Sequence, residues 1–328
     1  MIEIQKNGIS KFIVCNNRYI NNILSELLNP AKLQKNVNKR ELDHPEKPKS
    51  QLIHVINELV RNKAGLVSVI FLFLMIGCSI LAPILTSYDP VEIDAYNTLK
   101  APDSTHYFGT DDTGRDIYSR VLWGGRISLR VGSISAGIST IAGLILGLIS
   151  GYFGGAVSFV ILRFMDLLLA FPGVLLALFI VATLGPSLDN VMIAIGVAAI
   201  PSFTRVIHGC VLSAKEDDYI KAAVLIGCSH TRIIIRHVIP NIMAPVIVLC
   251  TLQVGNAIFG AASLSFIGLG AQPPIPEWGA MVSRGRYNLD LAMWISTFPC
   301  IAIALVVISI NIIGDVLRDA LDPFLRER

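Results

Sequence analysis

"DDYIKAAVLIGCSHTRIIIRHVIPN", Asp217 to Asn241, is the stretch on which the reading of this chain turns. It is charged, patterned and punctuated by Gly227 and Pro240. Yet it stands between two segments, residues 190–204 and 238–276, that hold no Asp, Glu, Lys or Arg beyond its own edge. Acids open it and Ala222, Ala223 and Leu225 follow, so Asp217–Ile226 suits a short helix that Gly227 stops. Ser229 is placed to cap a second helix, Thr231–Ile239, ending before Pro240. On that helix Arg232 and Arg236 share one face and Ile234 and Val238 another. Such a helix–turn–helix presents cations and small residues outward, and Ala222, Ala223 and Gly227 would let another backbone come close. A plain solvated loop is the alternative reading at this point.

The surroundings narrow the choice. Of 328 residues, 53% are hydrophobic and only 16% charged, against about 25% charged in soluble domains. That deficit points to a bilayer as solvent. A net charge of +3 gives no footprint for nucleic acid. The six cysteines, Cys15, Cys78, Cys210, Cys228, Cys250 and Cys300, are scattered, without C-x-x-C, and read as free thiols. Charge-free runs cover 65–85, 131–162, 167–188, 190–204, 238–276 and 291–314. A spanning helix needs about 20 apolar residues. "GYFGG", Gly151–Gly155, and "QPPIP", Gln272–Pro276, break the two longest runs. Six spanning helices are therefore expected, at about 65–85, 131–151, 164–184, 189–207, 244–267 and 292–314. The class is all-α and polytopic, since spans of this length in lipid are helices.

Orientation follows from Lys and Arg in the short flanks. Lys47, Lys49, Arg61 and Lys63 precede the first span, whereas the loop 86–125 carries three cations against seven acids. This predicts a cytoplasmic N-terminal extension (1–64), an extracytoplasmic loop (86–130), a core (131–315) with the loop 208–241 inside, and a cytoplasmic tail (316–328). No apolar signal segment stands in the first 50 residues, to which no role is assigned. Arg126 and Arg130 run against the rule, and snorkelling or pairing with Asp111, Asp112 and Asp116 would accommodate them.

Other candidate sites read as structural. Arg163 and Asp166 are i,i+3 near the edge of the third span and can pair as an anchor. "GTDDTGRD", Gly109–Asp116, lacks the alternating oxygens and closing Glu of a calcium loop and reads as a capped turn. The six histidines show no H-x-x-x-H or H-E-x-x-H spacing, so no metal site is expected. Ser135, Ser139, Thr140, Ser263 and Ser265 suit close helix packing. No nucleophile–base pair suggests an enzyme.

The opening stretch resembles the EAA loop of the membrane subunits of ABC importers, through Lys221-Ala222-Ala223, Gly227 and Val238-Ile239-Pro240. Further segments are similar, in order and spacing, to the C-type permeases of the dipeptide/oligopeptide/nickel subfamily. They are "FGTDDTGRDIYSRVLWGGRISLRVG" (Phe108–Gly132), "RFMDLLLAFPG" (Arg163–Gly173), "LSFIGLGAQPPIPEWGAM" (Leu264–Met281) and "GDVLRDALDP" (Gly314–Pro323). The resemblance implies the type I permease fold of these importers. It also implies a coupling loop that docks on a cytoplasmic ATPase through Tyr219, Lys221, Ala222, Ala223, Gly227, Arg232, Arg236 and Pro240. The implied partners are a second homologous permease, two ATPase subunits, an extracytoplasmic solute-binding protein and lipid, in the cytoplasmic membrane of a prokaryote. The implied cargo is di- or oligopeptide, with a nickel chelate or glutathione as alternatives. The motif's leading Glu is Lys221 here. No G-x-x-x-x-G-K-[ST] occurs, so ATP belongs to a separate subunit. A self-sufficient channel or secondary carrier is the contrasting class, and it would call for intramembrane carboxylates or an inverted repeat.

Overall fold

The computed structural model describes residues 51–321. Residues 1–50, Pro323 and the rest of the expected tail beyond 321 lie outside them. The chain divides into two units, Met1–His54 and Val55–Arg328. Among the described residues there is no strand, only a single bridge between Thr110 and Asp116. Helix α1 is Gln51–Arg61, α2 Lys63–Ile80 and α3 Ala82–Leu85, followed by a long irregular loop to Asp116. Then come α4 (Ile117–Phe153), α5 (Gly155–Leu169), α6 (Gly173–Leu184) and α7 (Leu188–Lys215). The opening stretch forms α8 (Asp218–Leu225) and α9 (His230–Ile233), which runs through a π turn at Ile234–Val238 into α10 (Ile239–Phe266). Helix α11 (Trp278–Gly285) and α12 (Trp294–Leu321) complete the bundle.

Among the described residues five helices are long and apolar enough to cross a membrane, and a sixth span is added if α5 and α6 count as one bent by 88°. That bend corrects the straight third span expected over 164–184. The chain enters α5 earlier, at Gly155, and breaks at Pro172, which has no N–H for a continuing helix. The second span is corrected too. Helix α4 starts at Ile117, not near 131, because the Asp116 side chain accepts from the Ser119 N–H and caps it. Its 37 residues reach about 55 Å at about 1.5 Å per residue, well beyond a hydrocarbon core of about 30 Å. The charged turns 117–130 therefore continue the helix beyond the charge-free part, with Arg126 and Arg130 on it. Charge marks where a helix leaves lipid, not where it ends.

The pairing of α4 with α7 is the most extensive in the bundle. Gly143, Gly147 and Gly151, one per turn, let α7 in: a Cβ on them would stand 2.4 Å from Phe203, 2.7 Å from Ile207 and 2.7 Å from Val211. Small residues at this spacing are what backbones need to approach in lipid, where the hydrophobic effect does not press helices together. Pro201 lies inside α7 without ending it, and the neighbouring Thr204 hydroxyl donates to the Ile200 carbonyl at 2.9 Å.

The expected Arg163–Asp166 anchor does not form. Asp166 pairs with Arg205 of α7, while Arg163 lies over the Phe159 ring. The partner on the facing helix reaches the carboxylate better than a neighbour on its own helix.

The two ends of the bundle differ. At the end holding the loop 86–116, "GTDDTGRD" is a capped turn as expected. Asp111 Oδ1 accepts from Thr113 N (2.8 Å), the Thr113 hydroxyl (2.7 Å) and Arg115 N (3.0 Å). Its Oδ2 faces Arg115 at 3.3 Å and Arg120 at 3.9 Å. Asp111 thus pairs with these two arginines rather than with Arg126, which stacks on Trp123. Asp116 faces His106 Nδ1 at 3.0 Å. The opposite end holds α8 and α9.

Candidate functional site

The loop between α7 and α10 is built onto the bundle by apolar packing. Ile220 and Ala223 of α8 and Ile233 and Val238 beyond it join Ile207, Val211 and Ala214 of α7 in one buried cluster. A few polar ties fix the register. Lys215 donates from Nζ to the Tyr152 carbonyl at 2.7 Å, satisfying the last turn of α4. The Tyr152 hydroxyl meets His230 Nδ1 at 2.9 Å. Asn241 Nδ2 donates to Asp217 Oδ2 at 2.9 Å, joining the start of α8 to the start of α10.

Gly227 ends α8 with φ +82. Cys228 N donates to Ala223 O at 3.1 Å and Gly227 N to Val224 O at 3.0 Å, the paired bonds of a Schellman turn. A residue with a Cβ resists this backbone. Ser229 stands at the N-cap of α9, but its side chain makes no capping bond.

Pro240 does not end a helix, contrary to the expected stop. The five residues before Ile239 widen into a π turn, and Pro240 falls in the first turn of α10. A proline there gives up an N–H that is unsatisfied anyway, and the widened turn relieves the clash with the carbonyl behind it. The result is a single stiff connection from the loop into a membrane helix.

Of the residues singled out in sequence, Tyr219, Lys221, Ala222, Gly227, Arg232, Arg236 and Pro240 lie on the surface. Ala223 does not: at 8% exposure it is part of the internal cluster. Lys221 faces Glu216 at 3.0 Å. The Lys221 ammonium holds the Glu216 carboxyl below its ordinary range, and Glu216 raises Lys221 in turn. Two large apolar residues that the motif does not single out stand further out. Leu225 and Ile226 are 87% and 82% exposed at the tip of α8. Their signal in sequence is the apolar triplet Val224-Leu225-Ile226, set directly before the turn glycine of a charged loop. Among the described residues no group of His, Cys, Asp and Glu is arranged to hold a metal.

Residues 143–327 match the family model described as binding-protein-dependent transport system inner membrane component. Residues 50–102 match the N-terminal TM domain of oligopeptide transport permease C. The chain is 46% identical to the dipeptide transport system permease protein DppC of Alkalihalophilus pseudofirmus, over 82% of this chain and 88% of that one. It is 41% identical to the glutathione transport system permease protein GsiD of Pectobacterium atrosepticum, over 81% and 89%. An inward-facing structure of the MetNI methionine ABC transporter shares the fold, with a TM-score of 0.51 at 14% identity, covering 63% of this chain and 98% of that one. The chain therefore belongs to the binding-protein-dependent inner membrane permeases, as a non-catalytic ABC importer subunit of the dipeptide/oligopeptide/nickel subfamily.

Proposed function

We propose that this chain is one of two permease subunits in an importer of di- and oligopeptides, with both termini in the cytoplasm and the tip of α8 seated on an ATPase. Membership of the family implies an ATPase and a binding protein in general terms. The second permease and the number of ATPases are part of the proposal. The peptide cargo rests on similarity to dipeptide permeases. The glutathione permease among the relatives carries a peptide-like solute and fits the same chemistry.

The observation that carries the ATPase contact is the exposed pair Leu225 and Ile226 on a short helix joined stiffly to two spans. Two large apolar side chains held out at a loop tip favour burial in a partner's groove. Motion of that groove would pass through α8 into α7 and α10. Tyr219, Lys221, Ala222 and Gly227 flank the same tip, and Arg232 and Arg236 follow on the surface beyond it.

Cysteine crosslinking in the assembled complex tests this. Position 226 should capture the ATPase, and position 223, buried in this chain, should not. An active complex with no capture from 225, 226 or 227 would refute the contact. Labelling of a cysteine at Pro102 only from the cytoplasm would refute the orientation. Reconstituted complex should import a labelled dipeptide with ATP and loaded binding protein. Uptake by this chain alone would support a self-sufficient carrier instead.

A further inference from the structure

At the end of the bundle opposite the α8 tip, a cavity of about 140 Å3 opens between α4, α11 and the loop that follows α10. A void needs only about 10–15 Å3 of such space to take one water, so this one has room for a functional group. Arg120, Ser265, Gln272, Arg284 and Tyr287 line it.

Its free chemistry is one-sided. Arg120, with a side chain only 5% exposed, donates to the Pro90 carbonyl at 2.6 Å and the Pro274 carbonyl at 3.4 Å. The carboxylate paired with it, Asp111, is shared with Arg115. Arg284 forms no ion pair among the described residues. Glu277 does not neutralise it: its two oxygens accept from Gly279 N at 2.9 Å and Ala280 N at 2.8 Å. The Tyr287 hydroxyl accepts from Arg286 at 2.6 Å, which leaves its own proton to give. The Ser265 hydroxyl is buried and spent on the Glu277 carboxyl beside it. Gln272 Nε2 is taken up by the Gly268 and Gly270 carbonyls at 3.2 and 3.1 Å. What remains unspent is cationic charge, one hydroxyl donor and the planar fork of Arg284. A planar anion with two oxygens satisfies all three, and guanidinium is the side chain best matched to it.

We infer that this cavity receives the free carboxylate of the transported solute, held in the fork of Arg284, with Tyr287 as donor. The inference rests on the peptide-importer reading, in which this end faces the binding protein. A peptide released there would find its C-terminal charge matched before it enters an apolar path.

The test uses the complete importer in proteoliposomes, with saturating binding protein loaded with labelled alanyl-phenylalanine. R284Q should lower initial uptake roughly tenfold, as expected for loss of one charge-assisted contact. ATP turnover and the half-saturating binding-protein concentration should stay unchanged, and R284K, which keeps the charge but not the fork, should recover only part of the uptake. Unaltered uptake in R284Q overturns the proposal. So does a raised half-saturating concentration with normal maximal uptake, which would give Arg284 to an acid on the binding protein. Loss of assembly in both variants, showing a structural role, overturns it as well. Wild-type complex that imports no dipeptide would overturn the peptide reading and this proposal with it. Import by wild type that R284Q leaves intact overturns the carboxylate subsite alone.

Discussion

The two ends of the bundle are held by different forces. Around the loop 86–116 the fold is wired by polar groups far apart in sequence: Trp294 Nε1 donates to the Thr110 carbonyl at 3.1 Å, Trp278 Nε1 to Val121 at 2.9 Å, and Arg120 to Pro90. Asp111 lies buried between Arg115 and Arg120 at the centre. Around α8 the attachment is apolar packing, with polar groups turned outward. Buried polar wiring fails abruptly, because each broken link strands a charge or a donor. Apolar attachment leaves the outer surface free to vary. On the proposed reading, the wired end holds a fixed shape for a delivered solute, and the packed end moves as a unit with a partner.

The hardest break should come at the wired end. Asp111→Ala leaves two buried guanidiniums without their carboxylate and frees the turn that caps α4. The expected loss is about 3–5 kcal/mol, read as a large drop in thermal unfolding temperature in detergent or as failure to accumulate. Asp111→Asn keeps the acceptor for Thr113 N and Arg115 N and should fall between. A drop no larger than that of an ordinary surface change would show that the network is not what holds this end.

Between the two ends, the α4–α7 seam should respond to volume alone. Gly147→Ala places a Cβ 2.7 Å from Ile207 Cβ. Overpacking of this kind costs about 1–3 kcal/mol, so the unfolding temperature should drop while Gly137→Ala, which meets nothing within 4 Å, leaves it unchanged. Equal behaviour of the two would mean that the helices approach less closely than the glycine spacing indicates.

At the packed end the effect shrinks again. Gly227→Ala meets no neighbour within 4 Å, so its only cost is the φ of +82, about 1 kcal/mol for a residue with a Cβ in this region. Gly227→Asn should recover part of it, since Asn tolerates that conformation better. Gly227→Glu adds bulk and charge at the tip. It should reduce transport far more than stability if the tip meets the ATPase.

Much of this was legible in the chain. Charge-free runs located the spans, and the order of Gly227, Ser229 and Pro240 located the turn between α8 and α9. Helix ends were less legible, because hydropathy reports contact with lipid and cannot see α4 continuing through Arg130 to its cap at Asp116. The break at Pro172 was hidden because Pro201 looks the same in sequence and is absorbed inside α7. Which proline breaks a helix depends on packing around the freed carbonyl, and that is a tertiary property. The site was legible as a loop but not as a surface: Ala223 points inward and Leu225 and Ile226 outward, since α8 turns its i, i+3 face, Ile220 and Ala223, to the core.

Lys221 is where the two kinds of attachment can be told apart most finely. It stands where the family motif has Glu, and it faces Glu216 at 3.0 Å with side chains 51% and 79% exposed. The pair raises the ammonium and lowers the carboxyl, so both groups stay charged across the neutral range. The sign follows. A carboxyl with a depressed folded value contributes above its unfolded value and loses that contribution as pH falls through the folded one, so nothing in the pair titrates near pH 7. Exposed pairs of this kind commonly contribute nothing measurable. Lys221→Ala should therefore leave both the unfolding temperature and ATP-coupled uptake where they were, at low and at high salt. Lys221→Glu sets a like charge against Glu216 and Asp218, and should disturb the start of α8 slightly, less so in high salt. An unchanged unfolding temperature with reduced uptake in Lys221→Ala would be the informative surprise. It would mean that the ammonium leaves Glu216 for an acid on the ATPase when the complex forms. Reversal of that acid should then restore uptake in Lys221→Glu, and the polar style of attachment found at the far end would operate, between subunits, at this one.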